Sequence, residues 1–219
     1  GCAMKVNTDG VLLAALADGE KSEWILDIGT GTGLIALMMA QRFSNADVHA
    51  VEIDEEAAAR AESNFQNSIF NERLFIQPVA IENYTSDLKF DLIISNPPYF
   101  INDLRNPEEK KGIARHATEE FFQNLMKKVN ELLSIDGAFW YILPVKQAEL
   151  LIEEAKLYDL YVKKQILLHS DATKPAFRWI ICLSRLAIET EVEHFYIYEA
   201  EKVHTTAYKN LLKDFFLAY

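Results

Sequence analysis

The segment Ser95-Asn96-Pro97-Pro98-Tyr99 contains residue types that could activate a weak nucleophile. A nitrogen in a planar amine or amide attacks poorly because its lone pair is delocalised. The Asn96 side-chain oxygen and the Pro97 carbonyl could accept hydrogen bonds from such a nitrogen and draw it toward tetrahedral geometry, and acceptors of this kind act most strongly where charge develops. The prolines would fix the backbone that aims these acceptors, and the Tyr99 ring offers a surface on which a base can stack. The alternative is that the segment is only a rigid turn.

A glycine-rich segment, Asp27-Ile-Gly29-Thr-Gly31-Thr-Gly33, lies between a predicted strand and a predicted helix. Glycines let a backbone turn sharply and approach a ligand closely. The dinucleotide fingerprint needs another glycine where Leu34 stands, so this is a different kind of loop. Glu52 ends the next predicted strand, where a carboxylate can accept both hydroxyls of a ribose. Together these features predict a nucleoside-containing cofactor; a tight turn and a solvated acid are the alternatives.

The elements that must position these segments alternate between strands and helices. Short apolar runs predict strands at Trp24–Ile28, Val48–Val51, Leu74–Ile76, Phe90–Ile94 and Gly137–Leu143. Helical patterns begin at Thr8-Asp9 and cover Leu34–Phe43, Glu55–Asn67, Thr118 to about Leu133, and Lys146–Tyr158. Between Asn96 and about Ala117 we expect an irregular stretch. This alternation predicts an α/β fold with a doubly wound, mostly parallel sheet, which binds ligands at the carboxyl ends of its strands.

The end of the chain follows a different pattern. The runs Tyr161–Leu168 and Phe177–Leu183 are joined by a connection too short for a helical crossover, so they should form an antiparallel hairpin. Phe195–Tyr198 could add an edge strand, and Tyr208–Leu217 a closing amphipathic helix. We therefore expect one domain with a seven-stranded sheet that ends in an antiparallel hairpin.

Composition and charge exclude several classes of protein. Half of the 219 residues are apolar, yet no run approaches the roughly 20 residues of a membrane span, and no signal peptide is visible. Two cysteines cannot form a disulfide framework, and no Cys/His cluster has zinc spacing, so we expect no metal and a cytoplasmic protein. The net charge of −11 argues against nonspecific coating of nucleic acid. Leu160–Ile180 nevertheless carries a local basic excess, from Lys163, Lys164, Lys174 and Arg178.

The glycine loop and the Val51–Asp54 segment together resemble the S-adenosylmethionine-dependent methyltransferases of the Rossmann-like class, over residues 24 to about 183. The resemblance implies that the loop takes the methionine part of the cofactor and Glu52 its ribose. It also implies that the Asn96–Tyr99 motif directs methylation of a planar nitrogen of adenine, cytosine, guanine or glutamine. The family often has an acid near the adenine after the third strand, and Gln77–Ala80 provides none. The expected cofactor contacts are Asp27, Gly29, Gly31, Gly33, Glu52, Ile53, Ala80 and Asn96.

A narrower resemblance is carried by Cys2–Leu13, by Asp91–Tyr99 and by the closing Ala207-Tyr208 and Phe215-Phe216. These segments look like those of the bacterial tRNA1(Val) adenine-37 N6-methyltransferases. The resemblance implies transfer of a methyl group to the exocyclic N6 of an adenine beside the anticodon, with tRNA as partner. Residues 1–219 would then be a single methyltransferase domain that lacks a short native N-terminal segment.

The expected catalytic residues are Asn96, Pro97 and Tyr99, and the expected RNA contacts are Pro98, Tyr99, Lys110, Lys111 and Arg115. One alternative is a protein-glutamine N5-methyltransferase acting on release factors, although such enzymes carry a helical domain before the glycine loop and only 26 residues precede Asp27 here. A DNA adenine methyltransferase would need an added target-reading domain. A third alternative is a nucleotide-binding module without catalysis. The sequence does not determine the oligomeric state.

Overall fold

A computed structural model describes residues 8–19, 21–98 and 109–215, with side chains from Glu119 onward in the last range. The strands are β1 Trp24–Ile28, β2 Asp47–Glu52, β3 Leu74–Pro78, β4 Phe90–Ser95, β5 Leu133–Leu143, β6 Tyr161–His169, β7 Ala176–Ser184, β8 Glu191–Tyr196, β9 Tyr198–Ala200 and β10 Val203–His204. The first eight form one sheet in the order β3-β2-β1-β4-β5-β7-β6-β8, in which only β7 runs antiparallel to its neighbours. The last two, β9 and β10, pair as a separate antiparallel ribbon.

Helices cover both faces of the sheet. They are α1 Thr8–Leu16, α2 Leu34–Arg42, α3 Glu55–Gln66, α4 Glu109–Leu132, α5 Val145–Lys156 and α6 Thr206–Leu212, with single 3-10 turns at Asn71–Arg73 and Ile81–Asn83. One core packs α1, α2, α3 and α6 against the sheet, and a second core packs α4 and α5 against the other face. Successive side chains of a strand point to opposite faces of the sheet. In β1, Ile25 therefore packs into the first core and Leu26 into the second.

The expected architecture is confirmed, including the antiparallel pairing of β6 with β7. The sheet has one strand more than the seven expected, because Glu191–Tyr196 pairs in parallel with β6. This strand is mostly exposed, so its polar sequence gave only a weak strand signal before Phe195. The closing helix begins at Thr206, where the Thr205 hydroxyl accepts a hydrogen bond from the Tyr208 amide.

The expectation of an irregular stretch up to Ala117 is wrong. Helix α4 begins at Glu109, nine residues before the predicted start at Thr118. The mixed charges and Gly112 had indicated a loop, but after Pro107 this segment consists mostly of residues that favour helix, and one glycine costs only about 1 kcal/mol. Strand β5 likewise begins at Leu133 instead of Gly137, directly after the helix.

Three histidines in the last part of the chain, His169, His194 and His204, pack in aromatic stacks. The His169 ring stacks on Tyr196 with centroids 4.8 Å apart, and its Nε2 lies 2.9 Å from Nδ1 of His194. Its Nδ1 lies 2.8 Å from the Lys174 carbonyl, which only accepts, so Nδ1 carries the proton. His204 stacks between Tyr198 and Tyr208. These contacts tie the last strands and α6 to the end of β6.

No helix in the described part of the chain is long and apolar enough to span a membrane.

Two glycines provide a matched test of packing. Gly33 has φ +89°, and a Cβ there would lie 2.5 Å from Cε1 of the buried Phe65. Gly33→Ala should therefore lower the free energy of unfolding by about 2–4 kcal/mol, through backbone strain and overpacking. Gly10 lies in α1, where the added Cβ would find ordinary contacts at 3.5 Å, so Gly10→Ala should be neutral or stabilising by up to about 1 kcal/mol. Urea denaturation measures both; equal stability of the two variants would contradict the packing around Gly33.

Candidate active site

A cavity of about 490 Å³ opens at the carboxyl edge of the parallel strands. Its walls come from four places: the end of β1, the end of β2, the turn after β3 and the segment after β4. Helix α4 contributes one further side chain, that of Phe121. The lining residues are Ile28, Gly29, Val51, Glu52, Ile53, Val79, Ala80, Ile81, Glu82, Ser95, Asn96, Pro97, Pro98 and Phe121.

The parallel pairing of β1 with β4 brings the two predicted motifs together. Ile28 and Ser95 are partners in the register, so Gly29 and Asn96 each leave the sheet one residue later on adjacent strands. The buried Ser95 hydroxyl donates to the Ile28 carbonyl at 2.8 Å and fixes this junction. Neighbouring strands lie about 4.8 Å apart, so the glycine loop and the Asn96–Pro98 segment form one site.

The glycine loop adopts a backbone that other residues rarely take. Gly29 and Gly31 have φ angles of +72° and +59°, and a Cβ built on either would meet nothing within 4 Å. The Gly29 and Thr30 amides donate to the Val51 carbonyl at 2.9 and 3.1 Å, which pins the loop to the end of β2. The loop therefore leaves open space beside exposed backbone, as a close-fitting ligand requires.

Glu52 has a structural task besides the predicted ribose contact. Its Oε2 accepts a hydrogen bond from the Gly31 amide at 2.8 Å, and its Oε1 accepts one from the Asp54 amide at 2.9 Å. Each carboxylate oxygen has a second lone-pair position, so Glu52 can still accept from two hydroxyls. The side chain lines the cavity and also shapes the loop beside it.

Asp27 and Gly33 act behind the loop and are not among the cavity-lining residues. The fully buried Asp27 Oδ2 accepts from the Thr30 hydroxyl at 2.6 Å and from the Ala36 amide at 3.1 Å. Burial raises the pKa of this carboxyl to about 7, against the lowering effect of these two hydrogen bonds. Gly33 allows α2 to pack closely on Phe65 of α3. Asp27 and Gly33 therefore support the glycine loop from behind and do not line the cavity themselves.

The wall formed by the segments after β2 and β3 is apolar except for Glu52 and Glu82. Ile53 is 73% exposed while lining the cavity, and Val79, Ala80 and Ile81 line it from the turn after β3. Glu82 also lines this wall, two residues beyond the segment in which the sequence showed no acid. Because the 3-10 turn brings Glu82 back to the cavity, only the turn geometry, and not the strand pattern, could have identified it.

Asn96, Pro97 and Pro98 of the predicted catalytic segment line the cavity from the end of β4. Asn96 is half-buried, Pro97 is buried and Pro98 is exposed. A Cβ on Gly10 of α1 would lie 3.7 Å from Nδ2 of Asn96, so the first turn of α1 sits directly against this amide. Tyr99 lies outside the described residues. For Lys110, Lys111 and Arg115 the structure gives the backbone, within α4, and not the side chains.

The basic residues near the hairpin are held by acidic partners. The Lys164 ammonium lies 2.9 Å from Glu193 and 3.4 Å from Glu191. Lys174 pairs with Asp171 at 3.2 Å. Arg178 pairs with Asp9 at the N-terminal end of α1. Three of the four basic residues of this segment therefore pair with carboxylates, Lys174 with one inside the segment and Lys164 and Arg178 with carboxylates from other elements.

Comparison with known proteins places this site in a family. A family model described as the methyltransferase small domain matches residues 4–157. A protein of Pedobacter heparinus named tRNA1(Val) (adenine(37)-N6)-methyltransferase is 52% identical over all of this chain and 94% of its own. One of the same name from Dyadobacter fermentans is 38% identical over all of this chain and 92% of its own. The chain belongs to this methyltransferase family. The resemblance drawn from the motifs is thereby confirmed.

Solved structures of methyltransferases share the fold. A predicted O-methyltransferase from Agrobacterium tumefaciens has a TM-score of 0.68 at 18% identity, covering 94% of this chain and 95% of its own. A glycopeptide N-methyltransferase solved with S-adenosylmethionine has a TM-score of 0.60 at 14% identity, covering 81% and 95%. At such identities the likeness shows the fold alone.

The residues of this methyltransferase fit S-adenosylmethionine. The open space beside Gly29 and Gly31 suits a ligand that approaches backbone closely, and Glu52 retains acceptors for two hydroxyls. The apolar wall of Ile53, Val79 and Ile81 suits a flat base. These are the parts that a methionine moiety, a ribose and an adenine require.

Removing the Glu52 carboxylate should weaken cofactor binding. Glu52→Ala deletes the acceptors for the ribose and the bond to the Gly31 amide, and charged hydrogen bonds contribute about 1.5–3 kcal/mol each. Calorimetry with S-adenosylmethionine should show roughly ten- to hundredfold lower affinity. Glu56→Ala, which removes an exposed acid of α3 that pairs with Arg60, should bind normally. Wild-type affinity in Glu52→Ala would overturn the ribose assignment.

The buried Asp27 should make stability depend on pH. Between about pH 4 and 7 the folded protein retains a proton on Asp27 that the unfolded chain has released, so the free energy of unfolding falls as pH rises through this window. Asp27→Asn mimics the protonated carboxyl and removes this dependence. Denaturation at several pH values should show the stability of Asp27→Asn rising relative to that of wild type from about pH 4 to 7, by at most about 4 kcal/mol. Parallel pH profiles would contradict the buried-proton interpretation.

Proposed function

We propose that this protein transfers a methyl group from S-adenosylmethionine to the exocyclic N6 of adenine 37 in tRNA1(Val). The relatives from Pedobacter heparinus and Dyadobacter fermentans carry this activity in their names, and the chain aligns with them along its whole length. The observation that carries the proposal is the junction of β1 and β4, where the cofactor loop and Asn96 leave adjacent strands. Because the substrate is a tRNA, we place the reaction in the cytoplasm.

The cofactor supplies an electrophilic methyl group, and the protein needs to hold and orient the nitrogen that attacks it. We infer that the Asn96 side-chain oxygen and the Pro97 carbonyl accept hydrogen bonds from the two N–H groups of the adenine amine. These hydrogen bonds would turn the nitrogen lone pair toward the cofactor. Pro97 is buried and Pro98 follows it, so the backbone that carries these acceptors is rigid. The methylated nitrogen is acidic enough to lose its proton to water, so no strong general base is required.

An adenine in an anticodon loop suits this arrangement. A base in an RNA loop is unpaired or easily splayed, so moving it into a pocket costs little. We infer that Tyr99 stacks on this base with Pro98 beside it. We further infer that Lys110, Lys111 and Arg115 contact RNA phosphates. These three basic residues belong to the helix whose Phe121 lines the cavity, which places their backbone on the element that borders the site.

The glutamine alternative uses the same acceptors on a planar amide. The full-length alignments with tRNA enzymes favour RNA over a release factor. Incubating the protein with labelled cofactor and either total tRNA or a release factor separates the two, and nucleoside mapping of the labelled tRNA identifies the base. Label in protein and none in tRNA would overturn the proposal.

Asn96 should be essential for the rate and dispensable for cofactor binding. Asn96→Ala removes one hydrogen-bond acceptor that stabilises the transition state. Single-turnover methylation of a tRNA1(Val) transcript should therefore slow by at least about 10²-fold. Cofactor affinity should change little because the glycine loop and Glu52 remain. Asn71→Ala, at an exposed residue of the 3-10 turn before β3, is the control and should react normally. Near-normal transfer by Asn96→Ala would mean that the motif is only a turn.

A further inference from the structure

Arg178 makes a long-range ion pair at the edge of the active site. Its Nε donates to Oδ2 of Asp9 at 2.9 Å, and the two residues are 169 positions apart in the chain. Both side chains are largely withdrawn from solvent, with exposures of 24% for Arg178 and 13% for Asp9. A second guanidinium nitrogen donates to the Phe177 carbonyl at 3.0 Å, which fixes the plane of the group. The pair is therefore an ordered contact between β7 and the first turn of α1.

The first turn of α1 is also the element that lies against Asn96. Gly10 follows Asp9 directly, and a Cβ on Gly10 would lie 3.7 Å from the Asn96 amide nitrogen and 3.5 Å from Ile35 of α2. Gly10 is buried and carries no side chain, so its backbone lies close to the Asn96 amide. Any movement of Asp9 would therefore change the space available to the Asn96 side chain.

We propose that Asp9 and Arg178 form a positioning pair, which holds the first turn of α1 against Asn96 and so keeps its carboxamide aimed at the target amine. Neither residue touches the reacting atoms; both act through Asn96. Small misplacements of an orienting group can cost up to about 10²-fold in rate. In this role Arg178, one of the basic residues of Leu160–Ile180, acts within the fold and not on RNA. The inference rests on the proposed methyl transfer.

Paired variants distinguish positioning from RNA contact. If the pair positions Asn96, Asp9→Asn and Arg178→Met should both lower the single-turnover rate about ten- to hundredfold. Their affinities for S-adenosylmethionine and for tRNA1(Val) should stay within about twofold of wild type. If Arg178 instead binds phosphate, Arg178→Met should weaken tRNA binding and reduce its salt dependence, whereas Asp9→Asn should strengthen binding. Opposite effects of the two variants on tRNA affinity would overturn the proposal.

Rescue and a matched control exclude a general loss of structure. The exchanged pair, Asp9→Arg with Arg178→Asp, should recover at least part of the rate lost by either single change, and the effects of the singles should not add. Lys164 and Glu193 form an equally short pair, at 2.9 Å with the same 24% exposure of the cation. Lys164→Met should leave the rate unchanged. Thermal unfolding of every variant shows whether it is folded at the assay temperature.

The outcomes remain separable from the proposed function. Absence of methyl transfer to tRNA by the wild type would contradict the proposed function itself. Normal rates for both Asp9→Asn and Arg178→Met, beside an active wild type and a slow Asn96→Ala, would contradict only the positioning role. A slow rate in Lys164→Met equal to that of Arg178→Met would also overturn it, because the effect would then be general to ion pairs of this sheet.

Discussion

The parallel pairing of β1 with β4 is the constraint on which this active site depends. This pairing sets Ile28 beside Ser95, and the Ser95 hydroxyl donates a hydrogen bond to the Ile28 carbonyl. Two segments that are 67 residues apart in the chain therefore leave the sheet side by side. The loop directly after β1 and the segment directly after β4 line one cavity, and methyl transfer needs the cofactor and the amine together there. A slip of one residue in this register would turn every side chain of the strand to the wrong face.

Two carboxyl groups hold the cofactor loop, and each has a second effect: Glu52 can also bind the ligand, and burial of Asp27 lowers the stability of the fold. Each carboxylate oxygen of Glu52 accepts one hydrogen bond from a backbone amide, of Gly31 or Asp54, and has a second lone pair that can accept from a ligand. Asp27 is buried behind the loop with a raised pKa, because its two hydrogen bonds do not offset the loss of hydration. Burying the Asp27 carboxyl group is unfavourable by itself. Its hydrogen bonds nevertheless fix the turn at Thr30 and the start of α2 to the end of β1.

Helix α1 is short, yet arginines from other elements hold both of its ends. Arg42 of α2 donates to the Ala14 and Ala17 carbonyls at 2.5 and 2.6 Å, which satisfies acceptors that a helix leaves unpaired at its C-terminus. Arg178 of β7 holds Asp9 at the other end. A nine-residue helix is marginal alone in water, so tertiary contacts of this kind determine where it lies. Its first turn borders Asn96, which connects the far strand β7 to the centre of the chemistry.

Local patterns in the amino-acid sequence were enough to predict the strand–helix alternation and the functional residue types at the ends of β1, β2 and β4. Trp24–Ile28 matched its strand at both ends, and the buried runs and glycine loop indicated a doubly wound sheet, because periodicity and turn chemistry are local properties. Local signals misplaced the start of α4, where helix-forming residues and loop-like charges compete. They also could not find Glu82, which a turn brings back to the cavity, or the partner of Arg178. These features depend on contacts between distant parts of the chain. Asp9 lies 169 residues before Arg178, and whether such a charge faces RNA or a carboxylate depends on which elements the fold brings together.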